Sequence, residues 1–99
     1  MAAYIIAEVE VTDPETYQSY RAQTPGVVAR YGGRFIVRGG AAETLEGDGP
    51  PGRLVVLEFP DLAAARRFYD SPEYQAIIGI RHRAANSRIV LIDGHPPTS

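Results

Sequence analysis

The sequence contains no cysteine, no long apolar run and no excess of positive charge. Without cysteine there are no disulfides and no thiolate metal sites, which fits a reducing cytoplasm. The net charge of −2 argues against general nucleic-acid binding, which requires a basic surface. No apolar stretch approaches the roughly 20 residues that span a bilayer, and the first residues lack the basic start of a signal peptide. We therefore expect a soluble cytoplasmic protein that binds neither nucleic acid nor a membrane.

The length of 99 residues predicts one domain over residues 1–99. A chain of this size buries only about 60–70% of its unfolded surface, so its own core is modest. Small domains often gain stability from disulfides, metals or oligomerisation. Since cysteine is absent, we expect oligomerisation.

Apolar periodicity and turn residues predict four strands, with helical segments after the first and third. The predicted strands are residues 4–11, 34–38, 53–59 and 86–92. Asp13 and Pro14 start the first helix, and glycines at 32–33 end it. A second cap-plus-proline signal at residues 70–73 divides the later helical region in two. Pro25 lies inside the first helix, where we expect a kink or a break.

This element order is β-α-β-β-α-β, with the second helix in two pieces. Right-handed crossovers then give one antiparallel sheet with spatial order 4-1-3-2 and both helical layers on one face. The predicted fold class is α+β, of the ferredoxin-like type.

Alternation along the strands separates two faces of this sheet. The set expected under the helices is entirely apolar: Ile5, Ala7, Val9, Phe35, Val37, Val55, Leu57 and Phe59. The opposite set mixes charged and apolar residues: Tyr4, Ile6, Glu8, Glu10, Arg34, Ile36, Arg38, Leu54, Val56 and Glu58. Its apolar members would form an exposed patch on a monomer, which predicts a homodimer with a barrel-like pair of sheets. Simple hairpin pairing places 34 opposite 58, 36 opposite 56 and 38 opposite 54, with an Arg34–Glu58 ion pair.

Four segments together resemble a bacterial family known as domain of unknown function 1330. They are YGGRFIVRGG at 31–40, LEG at 45–47, EF at 58–59 and FYDSPEYQ at 68–75, and the resemblance extends over residues 4–94. The resemblance implies a ferredoxin-like fold of the dimeric α/β barrel group and brings no established activity. Relatives in the wider group include isomerases, monooxygenases without metal or flavin, and haem-handling enzymes, but such analogy does not transfer function.

Five residues are candidate ligand-binding groups. Arg38 offers an anion anchor in the cleft between sheet and helices, although we favour a structural ion pair for it. Tyr20, Tyr69 and Tyr74 lie on helices facing one sheet, and tyrosine suits an amphipathic pocket; core packing is the alternative for each one. Arg81 shares an apolar helical stripe with Tyr74, so we expect it to point inward.

Three residues are weaker candidates for catalysis. Glu58 or Glu8 would serve as a general base if burial raised its pKa, and His82 changes charge near neutral pH. We favour charge pairing for both glutamates, and a solvated basic helix end for His82.

The sequence predicts no metal site and no cofactor. Two histidines thirteen residues apart match no metal-ligand spacing, and no phosphate loop or nucleophile elbow is present. Three hypotheses follow: a protein that binds a small organic or anionic molecule, a cofactor-independent enzyme acting on such a molecule, or a structural subunit without a ligand. We adopt the first, with the second as runner-up.

Overall fold

This computed structural model describes residues 1–96 of the chain. These residues form four strands and three helices, joined by loops. They are β1 (Ala3–Val11), α1 (Pro14–Arg30), β2 (Arg34–Arg38), β3 (Arg53–Phe59), α2 (Leu62–Asp70), α3 (Pro72–Ala84) and β4 (Ala85–Asp93). All strand pairs are antiparallel, and the spatial order is β2-β3-β1-β4. This is the predicted 4-1-3-2 order read from the other edge, so the α+β fold class is confirmed. Within the same residues, no helix is long and apolar enough to cross a membrane.

Each helix begins at a side-chain cap. Asp13, Asp61 and Ser71 are the N-caps, and each side chain accepts a hydrogen bond from the backbone N–H three residues later. Proline occupies the first turn of α1 and of α3, where its missing N–H costs nothing. These short-range signals explain why the helix starts at Pro14 and Pro72 were readable from the sequence.

The core lies between the helices and one face of the sheet. The predicted helix-side residues Ile5, Val9, Leu57 and Phe59 are buried, and Ala7, Phe35 and Val55 pack against them. Helix α1 contributes four buried residues at helical spacing, Tyr17, Tyr20, Thr24 and Val28. The helices therefore cover the face that alternation predicted, with one exception in β2.

The exception is a β-bulge at Ile36, which changes the faces of the residues after it. Phe35 pairs with Leu57 and Val37 pairs with Val56, so Ile36 has no partner of its own. The predicted pairings 36–56 and 38–54 are therefore wrong, whereas Arg34 pairs with Glu58 as predicted, with Arg34 Nε 2.7 Å from Glu58 Oε1.

The bulge moves Val37 and Arg38 to the faces opposite to those predicted for them. Val37 pairs with Val56 on the face away from the helices, and Arg38 pairs with Val55 on the helix side. An extra residue shifts the alternation by one, because successive side chains in a strand point to opposite faces.

Helix α1 runs from Pro14 to Arg30 without the break that Pro25 predicted. Proline cannot donate to the carbonyl four residues earlier, which here belongs to Arg21. That carbonyl accepts a hydrogen bond from Arg38 Nη2 at 2.9 Å instead. Thr24 does not cap a new segment, because its hydroxyl donates to the Tyr20 carbonyl at 2.6 Å. A hydrogen bond from Arg38, outside the helix, thus replaces the one that Pro25 cannot donate to the Arg21 carbonyl.

We expect Gly33→Ala to lower the free energy of unfolding by about 1–3 kcal/mol through overpacking. A Cβ at Gly33 would lie 2.5 Å from the buried Phe59 ring. Gly26→Ala is the matched control, since a Cβ there meets nothing within 4 Å and alanine favours the helix by about 0.5–1 kcal/mol. Urea unfolding measures both variants. Equal stability of the two would contradict the tight contact at Gly33.

We expect Pro25→Ala to stabilise the protein by about 1–3 kcal/mol and to loosen Arg38. The new amide N–H competes with Arg38 for the Arg21 carbonyl. Thermal unfolding measures the first effect, and ¹⁵N relaxation of the Arg38 Nε group measures the second. Pro14→Ala is the control, because an N–H in the first helical turn has no carbonyl to take. Unchanged order at Arg38 in Pro25→Ala would show that the carbonyl does not hold this side chain.

Candidate functional site

A cleft lies between the helix-side face of the sheet and residues of all three helices. Its floor consists of Ile5, Ala7, Val9, Val55, Leu57 and Ile89, and aromatic side chains from the helices form its roof. The enclosed part has a volume of ≈ 40 Å³, and with its open mouth the cleft contains ≈ 560 Å³ free of protein atoms. Apolar walls with a few polar groups are typical of small-molecule sites.

Four arginines line this cleft, and no acidic residue does. They are Arg21, Arg38, Arg53 and Arg81. In the described part of the chain, the ion pairs involve three other arginines: Arg30, Arg34 and Arg66. The charge of the cleft is therefore positive, in a chain whose net charge is −2.

Arg38 lies at the exposed mouth of the cleft. Its guanidinium stacks over the Phe35 ring, 4.4 Å from the ring centroid, and donates to the Arg21 carbonyl. Burial lowers the pKa of Arg38, and the nearby charges of Arg21 and Arg53 lower it further. Arginine nevertheless stays protonated at neutral pH, so these side chains repel one another.

Arg53 lies beside Arg38, and its guanidinium occupies space that the missing side chain of Gly39 leaves free. Gly39 has a positive φ of 63°, and a Cβ at this position would overlap the Arg53 guanidinium. The Nε atom of Arg53 is buried without a hydrogen-bond partner. An unsatisfied buried donor lowers the stability of the protein by about 1–3 kcal/mol. A hydrogen-bond acceptor beside Arg53 Nε would therefore be stabilising.

Arg81 lies on α3 and is only 3% exposed. One of its terminal nitrogens donates to the hydroxyl of Ser87 on β4, its guanidinium lies 6.0 Å from the Tyr20 ring centroid, and its Nε has no partner. The Tyr20 and Tyr74 hydroxyls share a hydrogen bond of 2.6 Å. Burial, together with the neighbouring Tyr74, raises the pKa of Tyr20, so Tyr20 stays neutral. The partners of this buried cation are thus uncharged.

All five predicted ligand-binding residues line the cleft: Arg38, Tyr20, Tyr69, Tyr74 and Arg81. Arg38 reaches it because of the bulge, and Arg81 because it lies on the buried stripe of α3. Tyr31, which shares the helical stripe of α1, lies at the end of the helix and donates to Glu73 at 2.5 Å instead.

The three catalytic candidates lie outside the cleft. Glu8 and Glu58 are on the opposite face of the sheet, where Glu58 binds Arg34 and accepts from the Tyr4 hydroxyl at 3.3 Å. His82 is exposed on α3 in an open groove beside β4. The structure therefore does not bring the three catalytic candidates into one site.

Sequence reasoning missed Arg21 and Arg53, although signals for both exist. Arg21 is four residues after Tyr17, so it lies on the same helical stripe. Arg53 has the same parity as Val55 and Leu57 in β3, which assigns it to the helix side.

The face of the sheet away from the helices, here called the outer face, carries an apolar patch. Ile6 is at its centre, paired with Val56 and Val90, and is 37% exposed. The other exposed apolar residues of this face are Ile36, Val37, Val90 and Ile92. The bulge enlarges the patch, because it adds Val37.

Solved structures share this fold. A protein of unknown function from Rhodopseudomonas palustris is 22% identical, with a TM-score of 0.76, over 97% of this chain and 84% of that one. SnoaB, a cofactor-independent oxygenase from Streptomyces nogalater, is 19% identical, with a TM-score of 0.68, over 96% and 94%. A dimeric protein of unknown function from Bacteroides fragilis is 10% identical, with a TM-score of 0.55, over 94% and 96%. These identities show the fold alone.

Family membership comes from the sequence rather than from these structures. Comparison with curated proteins found no match. The model of DUF1330, a domain of unknown function, matches residues 2–95, almost the whole chain. The protein therefore belongs to the DUF1330 family.

Proposed function

We propose that the protein binds a small organic anion, with a carboxylate as its charged group, in the cleft between sheet and helices. The observation that carries this proposal is the set of four arginines with no acidic residue among the cleft-lining side chains. Guanidinium groups bind carboxylates in a bidentate manner, and the apolar floor and aromatic roof suit an organic body. Binding requires the side chains at the mouth to move, because the enclosed volume of ≈ 40 Å³ is small.

The second candidate is a cofactor-independent enzyme acting on the same kind of molecule. It is favoured by the Tyr20–Tyr74 hydroxyl pair beside Arg81, since such donors stabilise a developing oxyanion. SnoaB, which has the same fold, is a cofactor-independent oxygenase. The cleft contains no carboxylate or histidine that would act as a general base. Binding is therefore the first choice, and a structural subunit without a ligand is the third.

We further propose that the protein is a homodimer formed by its outer faces. The exposed apolar patch around Ile6 supports this assembly, because patches of this kind are uncommon on monomers. The protein from Bacteroides fragilis with the same fold is dimeric. The absence of cysteine supports a cytoplasmic location for this dimer.

We expect benzoate to bind at least about tenfold more tightly than benzamide, its uncharged analogue, since a hydrogen bond to a charged group contributes about 1.5–3 kcal/mol. Arg38→Gln should weaken benzoate binding by a similar factor. Arg67→Gln, an exposed arginine on α2 outside the cleft, is the control for net charge and should bind normally. NMR titration measures the affinities. Equal binding of benzoate and benzamide, or no effect of Arg38→Gln, would count against an anion site.

We expect native mass spectrometry to give the mass of two chains for the wild type and of one chain for Ile6→Asp. The substitution places a charge at the centre of the outer-face patch, where a dimer would bury it without a partner. Leu45→Asp is the control, since Leu45 is 85% exposed in the loop between β2 and β3. A monomeric wild type would exclude the proposed assembly.

A further inference from the structure

We infer that the cleft has two anion-binding positions, one on each side of an apolar middle section, and that its ligand is an elongated molecule with a carboxylate at both ends. This inference rests on the proposed function and specifies its ligand class. The first position is formed by Arg38 and Arg53 at the mouth. The second is formed by Arg81 where α3 meets β4.

The strand register places the two positions on either side of strand β1, both on the helix-side face of the sheet. On the helix side, one row of paired residues runs from Arg53 on β3 through Val9 on β1 to Ser87 on β4. Neighbouring strands are about 4.8 Å apart, so the backbones of Arg53 and Ser87 are separated by about 10 Å. Since the Arg81 guanidinium binds Ser87, its position is fixed at the β4 end of this row.

A second row of paired residues on the helix side crosses all four strands and has its one charged residue, Arg38, at the mouth. It runs from Arg38 on β2 through Val55 and Ala7 to Ile89 on β4. Its two middle residues and its β4 residue are apolar, and Ala7 has the smallest side chain of the row. A ligand lying across the strands therefore has charged side chains near its ends and apolar contacts along its body.

The main support for the second position is the environment of the buried Arg81 side chain. A buried cation needs a counter-charge, because a buried charge without a partner is strongly destabilising. Within residues 1–96 the groups that contact Arg81 are neutral: the Ser87 hydroxyl and the Tyr20 and Tyr74 side chains. Its Nε is unpartnered, and its side chain lines the cleft. A ligand carboxylate would supply both the missing charge and the missing acceptor.

The test compares suberate, which has a carboxylate at each end, with octanoate, which has the same carbon chain and one carboxylate. Isothermal titration calorimetry of the intact protein gives both dissociation constants. We expect suberate to bind at least about tenfold more tightly than octanoate, because it engages both positions. In Arg81→Met the ratio should fall to about one, since only the first position remains. In Arg38→Gln the ratio should fall toward one, since Arg53 alone forms the weakened first position.

Two further variants separate the role of Arg81 from a change in net charge and from a loss of folding. Arg83→Met is the matched control on the same helix: Arg83 is exposed and does not line the cleft, so the ratio should be that of the wild type. If Arg81→Met does not fold, Ser87→Ala replaces it, because the loss of the Ser87 hydroxyl removes the contact that positions the Arg81 guanidinium at β4 and should lower the ratio. If the wild type binds both ligands equally, the second position is wrong and the proposed function survives. If it binds neither ligand, and not benzoate either, the proposed function itself fails.

Discussion

One extra residue in β2 decides which of its side chains line the cleft. Because Ile36 has no partner in β3, the alternation of side chains is shifted after it, and Arg38 lies on the helix side with Val37 on the outer face. Without this bulge the cleft would gain an apolar valine and lose its mouth arginine. The outer face would carry another charge in place of an apolar residue. A single local irregularity thus sets the character of both faces of the sheet.

One hydrogen bond connects the bulge in β2 with the proline-containing part of α1. Pro25 leaves the Arg21 carbonyl without its helical donor, and Arg38 supplies the missing hydrogen bond only because the bulge turns it toward α1. The contact compensates a defect in the helix and at the same time holds the guanidinium at the mouth of the cleft. Its partner is a neutral carbonyl rather than a carboxylate, so the charge of Arg38 remains available to an anion.

Arg81 is a buried cation whose contacts are with neutral groups. A binding function gives this arrangement a physical reason, since an anionic ligand would remove the uncompensated charge. The Tyr20–Tyr74 hydroxyl pair adds neutral polar groups at the same end of the cleft and leaves its net positive charge unchanged.

The sequence by itself determined the element order, the helix caps, the sheet order and most of the helix-side face, because caps and alternation are local patterns. It also identified Tyr20, Tyr74 and Arg81 through helical spacing, which brings residues three or four apart to one side. Only the tertiary structure decided the faces of Val37 and Arg38, since a bulge depends on how two strands pair. Likewise, Pro25 breaks a helix by local rules, and a bond from a residue thirteen positions later in the chain keeps α1 continuous.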